Sequence, residues 1–232
     1  MTTLNRNAII ICLFLLGFMH SFGAFGQKHA GYTDSLNTAL NNAKTDTDKV
    51  NILMLLSKNT PCSDSTSKIR YANRALQLAT DINWEKGMVL GTCRIGRTYE
   101  ECAGNTALAI VYFQKALSIA QASEDTIKEA NVLNFIAGAF CLTAQYADAL
   151  HYYSEALELN ADLHINVGTL ANMGKLYNNV GDYPAALSCY DSSLKILEKS
   201  ARTSKKKRSK RNFANGWVTN YCWRHILIDV TI

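Results

Sequence analysis

Few residues of this chain have the types and spacing that metal or phosphate chemistry requires. A hydrolytic zinc site usually has histidines one helical turn apart, as in HExxH, and a phosphate site has a glycine-rich segment ending in GK[ST]. Neither pattern occurs in the 232 residues. The histidines are scattered along the chain, at His20, His29, His151, His164 and His225. We therefore expect no metal site and no small-molecule cofactor.

An adjacent acidic pair, Glu100 and Glu101, is also a poor candidate for acid–base catalysis. Successive side chains on a helix point about 100° apart, so the two carboxylates do not converge on one substrate. Arg97 precedes Glu101 by four residues, which predicts an ion pair on the helix surface. Since no nucleophile has a base at a workable spacing, we expect no catalytic residues and a function other than catalysis.

The seven cysteines do not form a recognisable framework. None belongs to a CxxC pair, and their spacings are irregular. Free cysteine is among the most buried residue types, so the pattern favours small core residues over disulfides, although oxidation stays open. One pairing is excluded: Cys93 and Cys102 lie nine residues apart on one predicted helix, about 13 Å along its axis.

Composition favours helices. Hydrophobic residues make up 48% of the chain and charged residues 19%, which is ordinary for a globular protein. The chain has only 2 prolines, where about a dozen would be usual. Because proline interrupts helices and is common in turns, its scarcity predicts long helices rather than a turn-rich sheet.

The net charge of +5 is unevenly distributed. Seven of the 24 basic residues lie between residues 202 and 211. Residues 27–201 carry 15 basic and 18 acidic residues, a net charge of −3. The body of the chain therefore gives no reason to expect nucleic acid as a partner.

The first 26 residues have the pattern of an export signal. Arg6 supplies a positive start, residues 8–18 are apolar, and Ala24-Phe25-Gly26 is a small-x-small cleavage site. The sequence thus predicts a periplasmic or secreted protein. The alternative is an uncleaved N-terminal membrane anchor, but the apolar run is shorter than the roughly twenty residues of a spanning helix.

Two short words recur along the chain. The first is aromatic-x-x-Ala-Leu, at residues 113–117 and 153–157, with weaker copies ending at residues 76 and 194. The second, apolar-small-x-x-aromatic, lies upstream at residues 95–99, 136–140 and 173–177. The fourth residues of the first word, 75, 116, 156 and 193, are 41, 40 and 37 residues apart. Two helices per unit follow from this spacing.

The residue types in these words indicate how the helices pack. Small residues at Gly96, Ala137 and Gly174 allow a second helix to approach closely, and the aromatic three positions later fills the space beside that contact. Each pair buries only one face of each helix. The next pair must cover the rest, so the units are expected to stack into a solenoid.

The words resemble the tetratricopeptide repeat over residues 48–200. The resemblance implies an all-α, right-handed α-solenoid of antiparallel helix pairs, with units at 48–80, 88–122, 129–161 and 166–199 after a capping helix within 27–47. Longer units of this type are similar to those in the sensory regions of exported or membrane-tethered bacterial signalling proteins. The first unit departs from the pattern, because Lys68 replaces the small residue that opens the second helix and Ala72 replaces the aromatic.

In this family, peptides usually lie along the first helices, which implies a protein or peptide ligand for a non-catalytic interaction module. Asparagine amides can pair with an extended peptide backbone, and a cationic side chain can hold a carboxylate. The competing interpretation is a solvated helix face. The candidate partner-binding residues are Arg97, Asn131, Asn134, Lys175, Asn178 and Asn179.

The basic tail, residues 201–232, does not follow the repeat pattern. Three explanations are open: a nucleic-acid or anionic-surface binder, a solvated extension, or a shifted reading frame after which the natural protein continues. Two alternative functions follow, a sensory fragment of a signal-transduction protein that lacks its effector part and nucleic-acid binding through the tail. The open end of the solenoid after residue 200 also predicts self-association.

Overall fold

The computed structural model describes residues 32–203, and the regular structure of these residues is helical throughout. A short 3₁₀ turn, Cys62–Asp64, separates the second and third helices. The helices in chain order are α1 (32–42), α2 (Asp46–Asn59), α3 (Ser65–Asp81), α4 (Glu85–Ala103), α5 (Thr106–Ala122), α6 (Thr126–Leu142), α7 (Tyr146–Glu158), α8 (Leu163–Asn179) and α9 (Tyr183–Thr203).

The chain divides after Cys102 into two compact units. In the first, α2 and α3 form an antiparallel pair, and Leu36 of α1 joins their core. α4 lies close against α3, because a Cβ on Gly91 would stand 3.1 Å from the Cα of Leu76. The buried core residues are Leu36, Val50, Leu53, Leu56, Ala75 and Ala79.

The second unit repeats the same pairing. α6 packs against α5 and α7, and α8 packs against α9. In each of the second helices α5, α7 and α9, three residues of the repeat pattern are buried: the alanine near the start, the aromatic four positions later, and the small residue three positions after the aromatic. These are Ala109, Phe113 and Ala116 in α5, Ala149, Tyr153 and Ala156 in α7, and Ala186, Tyr190 and Ser193 in α9.

Gly174 shows why the first helices carry small residues. A Cβ at this position would lie 2.7 Å from Cε1 of Tyr190, closer than non-bonded carbons approach. The ring of Tyr190 therefore occupies the volume that a side chain on α8 would fill. In the preceding pair, Ala137 is buried in one cluster with Tyr153 and Leu176.

The helix termini are defined by capping side chains and left-handed residues. Thr45, Asp64, Asn105, Asp125 and Asp162 each accept a hydrogen bond from a backbone N–H in the first turn of a helix, which supplies a partner that the helix itself lacks. The turns that follow α3 to α8 each contain a residue with positive φ. These residues are Asn83, Gly104, Glu124, Ala144, Asn160 and Gly181.

The predicted all-α fold of antiparallel helix pairs is confirmed, with α2 packed on α3, α6 on α7 and α8 on α9. The helix expected within 27–47 lies at 32–42. The predicted signal, 1–26, and most of the predicted tail lie outside the described residues. Among residues 32–203, no helix has both the length and the apolar character needed to cross a membrane.

Candidate functional site

The first helices of the last two pairs, α6 and α8, lie side by side in the second unit. Several sequence-predicted binding residues lie on the surface that these two helices present. We call this surface the α6–α8 face. It comprises Asn131, Gly138 and Cys141 of α6 and Gly168, Lys175 and Asn178 of α8, positions that the helical repeat places on one side.

Asn134 joins the two helices. Its amide Nδ2 donates to the Ala130 carbonyl at 2.9 Å and to Thr169 Oγ1 at 2.8 Å. The Thr169 hydroxyl donates to the Ile165 carbonyl, so it can only accept from Asn134. These two acceptors fix the orientation of the amide and leave Oδ1 buried without a partner. Asn134 therefore holds α6 to α8, and its amide nitrogen is already engaged.

Two glycines leave the α6–α8 face open. A Cβ built on Gly138 or on Gly168 would meet no neighbouring heavy atom within 4 Å. This is the opposite of Gly174, which the Tyr190 ring covers. At Gly138 and Gly168 an incoming chain can approach the helix backbone directly, because no side chain stands in the way.

Polar groups surround these openings. Lys175 and Asn131 are exposed, and Asn178 is half-buried. The Asn131 amide nitrogen donates to the Ile127 carbonyl of its own helix at 2.9 Å. Asn179 is exposed and is the last residue of α8. The second unit thus holds five of the six predicted binding residues.

Lys175 also acts on α6. Burial raises the pKa of the Cys141 thiol above its usual value, while a hydrogen bond with Tyr153 and the positive charge of Lys175 act in the opposite direction. The Sγ of Cys141 and the hydroxyl oxygen of Tyr153 are 3.9 Å apart. The ammonium group on α8 is therefore felt across the face at α6, as expected if the two helices form one surface.

Arg97, the sixth predicted residue, belongs to the first unit. Its guanidinium is 2.5 Å from Glu101, which confirms the predicted pair. The same carboxylate lies 4.0 Å from Lys68 Nζ. Glu100, the neighbour of Glu101, is part-buried, and burial raises its pKa. The Glu101 carboxylate is thus shared by two cations, Arg97 and Lys68.

The irregular first pair is explained by Lys68. This side chain is only 6% exposed, and its Nζ donates to the Thr60 carbonyl at 3.1 Å. Lys68 stands where the other second helices have alanine, and Thr60 stands where the other first helices have an aromatic. The lysine thus joins the two positions at which this pair departs from the pattern. Ser57 closes the contact by donating to the Lys68 carbonyl at 2.9 Å.

The expectation that the cysteines are small core residues is wrong for two of them. Cys62 and Cys102 form a disulfide, with their Cα atoms 5.0 Å apart. Cys62 is exposed in the turn between α2 and α3, so burial does not account for it. Cys93 does follow the expectation, since it is 5% exposed and burial raises the pKa of its thiol to about 12.

A signal for the disulfide was present in the sequence. Cys62 and Cys102 are 40 residues apart, which is one repeat period. Equivalent positions of successive units lie side by side in a stack, so cysteines one period apart are near neighbours. The sequence holds no such signal for the Asn134–Thr169 hydrogen bond, because the two residues occupy different positions of the repeat in two successive helix pairs.

Metal chemistry finds no support in the described part of the chain. No group of three or more His, Cys, Asp or Glu residues there converges in a way that would hold a metal ion.

Comparison with known proteins agrees with this architecture. Residues 89–162 match the sequence profile of the tetratricopeptide repeat. No curated protein matches the chain by sequence. The class that the fold and the face define is an α-solenoid of helix pairs. Within that class, residues 89–162 match the tetratricopeptide repeat, which confirms over that range the resemblance inferred from the recurring words.

Two solved structures share the fold. The Rap protein complexed with Competence and Sporulation Factor has a TM-score of 0.62 at 17% identity, over 78% of this chain and 52% of that chain. BtubC (BKLC) from P. vanneervenii has a TM-score of 0.56 at 17% identity, over 82% and 78% of the two chains. This chain therefore spans about half the length of the Rap chain.

Proposed function

We propose that this protein is a non-catalytic interaction module that binds an extended peptide segment of a partner protein on the α6–α8 face. Tetratricopeptide repeats are generally protein-interaction modules, and the Rap protein was crystallised with Competence and Sporulation Factor. The observation that carries the proposal is the open strip at Gly138 and Gly168, where no neighbouring atom lies within 4 Å of a built Cβ.

The chemistry around the strip suits a peptide backbone. Asn131 and Asn178 present amide groups that can donate to a peptide carbonyl and accept from a peptide N–H. Lys175 supplies a positive charge for a carboxylate of the ligand. Asn134 supports the face from beneath, as its amide holds α6 to α8. Asn179 extends the polar surface of α8. Arg97 lies in the first unit, where it pairs with Glu101.

The proposal is tested with peptides selected on the full chain from a random 12-residue display library. The affinity of each selected peptide is then measured for Gly138→Trp, which fills the strip, and for Lys175→Glu, which reverses its charge. We expect the affinity of the selected peptides to fall by about tenfold or more in both variants. Matched controls are Ser154→Trp and Lys115→Glu, exposed substitutions on α7 and α5.

The controls decide the location of the site. Binding that survives Gly138→Trp and Lys175→Glu, or that falls equally in the two controls, would show that the α6–α8 face is not the binding surface. Retained helicity by circular dichroism shows that each variant is folded. A library that yields no peptide above background would also contradict the proposal.

We further propose that the protein is exported, either released after cleavage of residues 1–26 or held by them as an N-terminal anchor. The Cys62–Cys102 disulfide supports this, because disulfides persist mainly in oxidising compartments. The test is fractionation of cells that express the full chain, with alkylation of free thiols and mass spectrometry of each fraction. Reduced protein found only in the cytosolic fraction would overturn the proposal.

The other functions inferred from the sequence stay predictions. These are a sensory fragment of a signalling protein, nucleic-acid binding through the basic run, and self-association at the end of the solenoid. Most of the basic run lies outside the described residues.

A further inference from the structure

A second surface of the protein has the character of a docking groove. It lies in the second unit, where α5, α6 and α7 meet, and it encloses about 450 Å³. α5 and α7 contribute most of its walls. Its lining residues are Leu117 and Gln121 of α5, Glu129 and Leu133 of α6, and His151, Tyr152, Glu155, Glu158 and Leu159 at α7 and its end.

The floor of the groove is apolar. Leu133 is buried in a cluster with Ala156, against which Leu117, Tyr152 and Leu159 pack while only partly buried. Removing apolar surface from water is favourable, so a half-covered apolar floor is a site where a ligand's own apolar side chains gain stability. The groove is therefore suited to a chain that carries at least one large apolar residue.

The rim of the groove is acidic. Glu129 accepts a hydrogen bond from the Gln121 amide at 3.0 Å, and Glu155 lies 3.7 Å from His151. Glu158 is exposed. Within residues 32–203, no lysine or arginine forms an ion pair with any of these three carboxylates. Three carboxylates around an apolar floor favour a ligand that is both cationic and apolar.

We propose that this groove binds the basic stretch of the same chain, residues 202–211, together with Phe213 just beyond it. The stretch carries seven lysine and arginine residues, which match the acidic rim in sign. Phe213 follows the last of these cations by two residues and supplies an apolar group for the floor. The net charge of −3 over residues 27–201 favours the same association.

The course of the chain makes this occupant accessible to the groove. Alternate helices of an antiparallel stack run in the same direction, so α5, α7 and α9 end on the same side. The groove is lined by the C-terminal halves of α5 and α7, and α9 reaches Thr203 before the remaining basic residues begin. Eight residues, 204–211, span up to about 26 Å when extended. Neighbouring helices are roughly 10 Å apart, so this reach is sufficient.

The test uses zero-length carbodiimide cross-linking of the full chain, which joins a lysine only to a carboxylate in contact with it. We expect cross-links from Lys205, Lys206, Lys207 or Lys210 to Glu129, Glu155 or Glu158. They should disappear at about 1 M NaCl, where the Debye length is about 3 Å. Mixing ¹⁴N- and ¹⁵N-labelled protein before the reaction shows whether both ends belong to one molecule.

A matched pair of triple variants completes the experiment. Glu129→Gln, Glu155→Gln and Glu158→Gln together should abolish the cross-links. The control changes three exposed acids outside the groove, Glu85→Gln, Glu124→Gln and Asp148→Asn, and should keep them. Cross-links between two molecules, cross-links spread evenly over surface acids, or groove cross-links only to an added oligolysine peptide would each overturn the proposal.

Discussion

The ammonium group of Lys68 donates a hydrogen bond to the Thr60 carbonyl at 3.1 Å, although the lysine side chain is only 6% exposed. The only carboxylate that it pairs with among the described residues is Glu101, at 4.0 Å, and Glu101 also pairs with Arg97. A buried cation with a distant, shared partner is destabilised relative to water. Burial accordingly lowers the pKa of Lys68 below its usual value of 10.5.

This burial predicts how stability depends on pH. Between the lowered pKa of Lys68 and 10.5, the unfolded chain binds more protons than the folded one, so the free energy of unfolding rises with pH. Lys68→Met keeps the stem volume and removes this contribution. We therefore expect the stability of the natural protein, relative to Lys68→Met, to increase as the pH is raised toward 10. Chemical denaturation at a series of pH values measures this difference.

Lys58→Met is the matched control, because Lys58 is exposed on α2. Its stability relative to the natural protein should not change over the same range. A pH-independent difference for Lys68→Met would show that Lys68 titrates as an ordinary lysine.

Because of the Cys62–Cys102 disulfide, we expect reduction to lower the stability of the first unit strongly. It closes a loop of 40 residues, and the loss of such a cross-link costs about 4 kcal/mol on the chain-entropy account. We expect Cys62→Ser with Cys102→Ser to weaken hydrogen-exchange protection in α2 to α4. Cys189→Ser, which removes a free cysteine of α9, is the control. Equal protection in the double variant and the natural protein would contradict the expectation.

Two glycines of the first helices should respond to alanine in opposite ways. Gly138→Ala adds a methyl group to open space, so it should stabilise α6 by about 0.5–1 kcal/mol through helix propensity. Gly174→Ala drives a methyl group into the Tyr190 ring and should destabilise the α8–α9 pair by roughly 1–3 kcal/mol. Local hydrogen exchange reports both changes. A loss of stability in Gly138→Ala would show that the α6–α8 face is closed.

The Asn134–Thr169 hydrogen bond can be measured with a double-mutant cycle. Asn134→Ala, Thr169→Val and the double variant should give a coupling of about 0.5–1.5 kcal/mol. Asn131→Ala is the control, since its amide bonds only within its own helix. Additive effects of the two single substitutions would mean that this bond does not link α6 to α8.

The Asn134–Thr169 hydrogen bond also affects how a loss of ligand binding in an Asn134 variant should be interpreted. Asn134→Ala would weaken a ligand site by disturbing the support of the face, without any contact between Asn134 and the ligand. Substitutions at Gly138 and Lys175 are therefore better probes of partner binding.

The repeat could be predicted because its residue types reflect local packing requirements, which the sequence shows directly. Alanine at positions 109, 116, 149 and 156 is required wherever two helices approach closely, and each of these residues is fully buried. The same reasoning located the polar residues of α6 and α8, because one helical register applies to both. The predicted pair of Arg97 and Glu101 depended only on a spacing of four residues.

The features that could not be predicted depend on contacts between different helix pairs or on substitutions that compensate for each other. The role of Asn134 requires Thr169 of the next pair, 35 residues away. Lys68 looked like a defect in the pattern, since only the structure shows its stem beside Thr60. The disulfide carries no motif of its own, since only the separation of 40 residues, about one repeat period, relates Cys62 to Cys102.

The turns after α3 to α8 are ended by left-handed residues, and four of the six are not glycine: Asn83, Glu124, Ala144 and Asn160. Glu124 and Ala144 adopt this conformation reluctantly, so the local sequence at these two turns does not by itself require the chain to turn there. Connectors of this kind should tolerate inserted or deleted residues, which accounts for the unequal spacings of 41, 40 and 37 residues between successive copies of the recurring word.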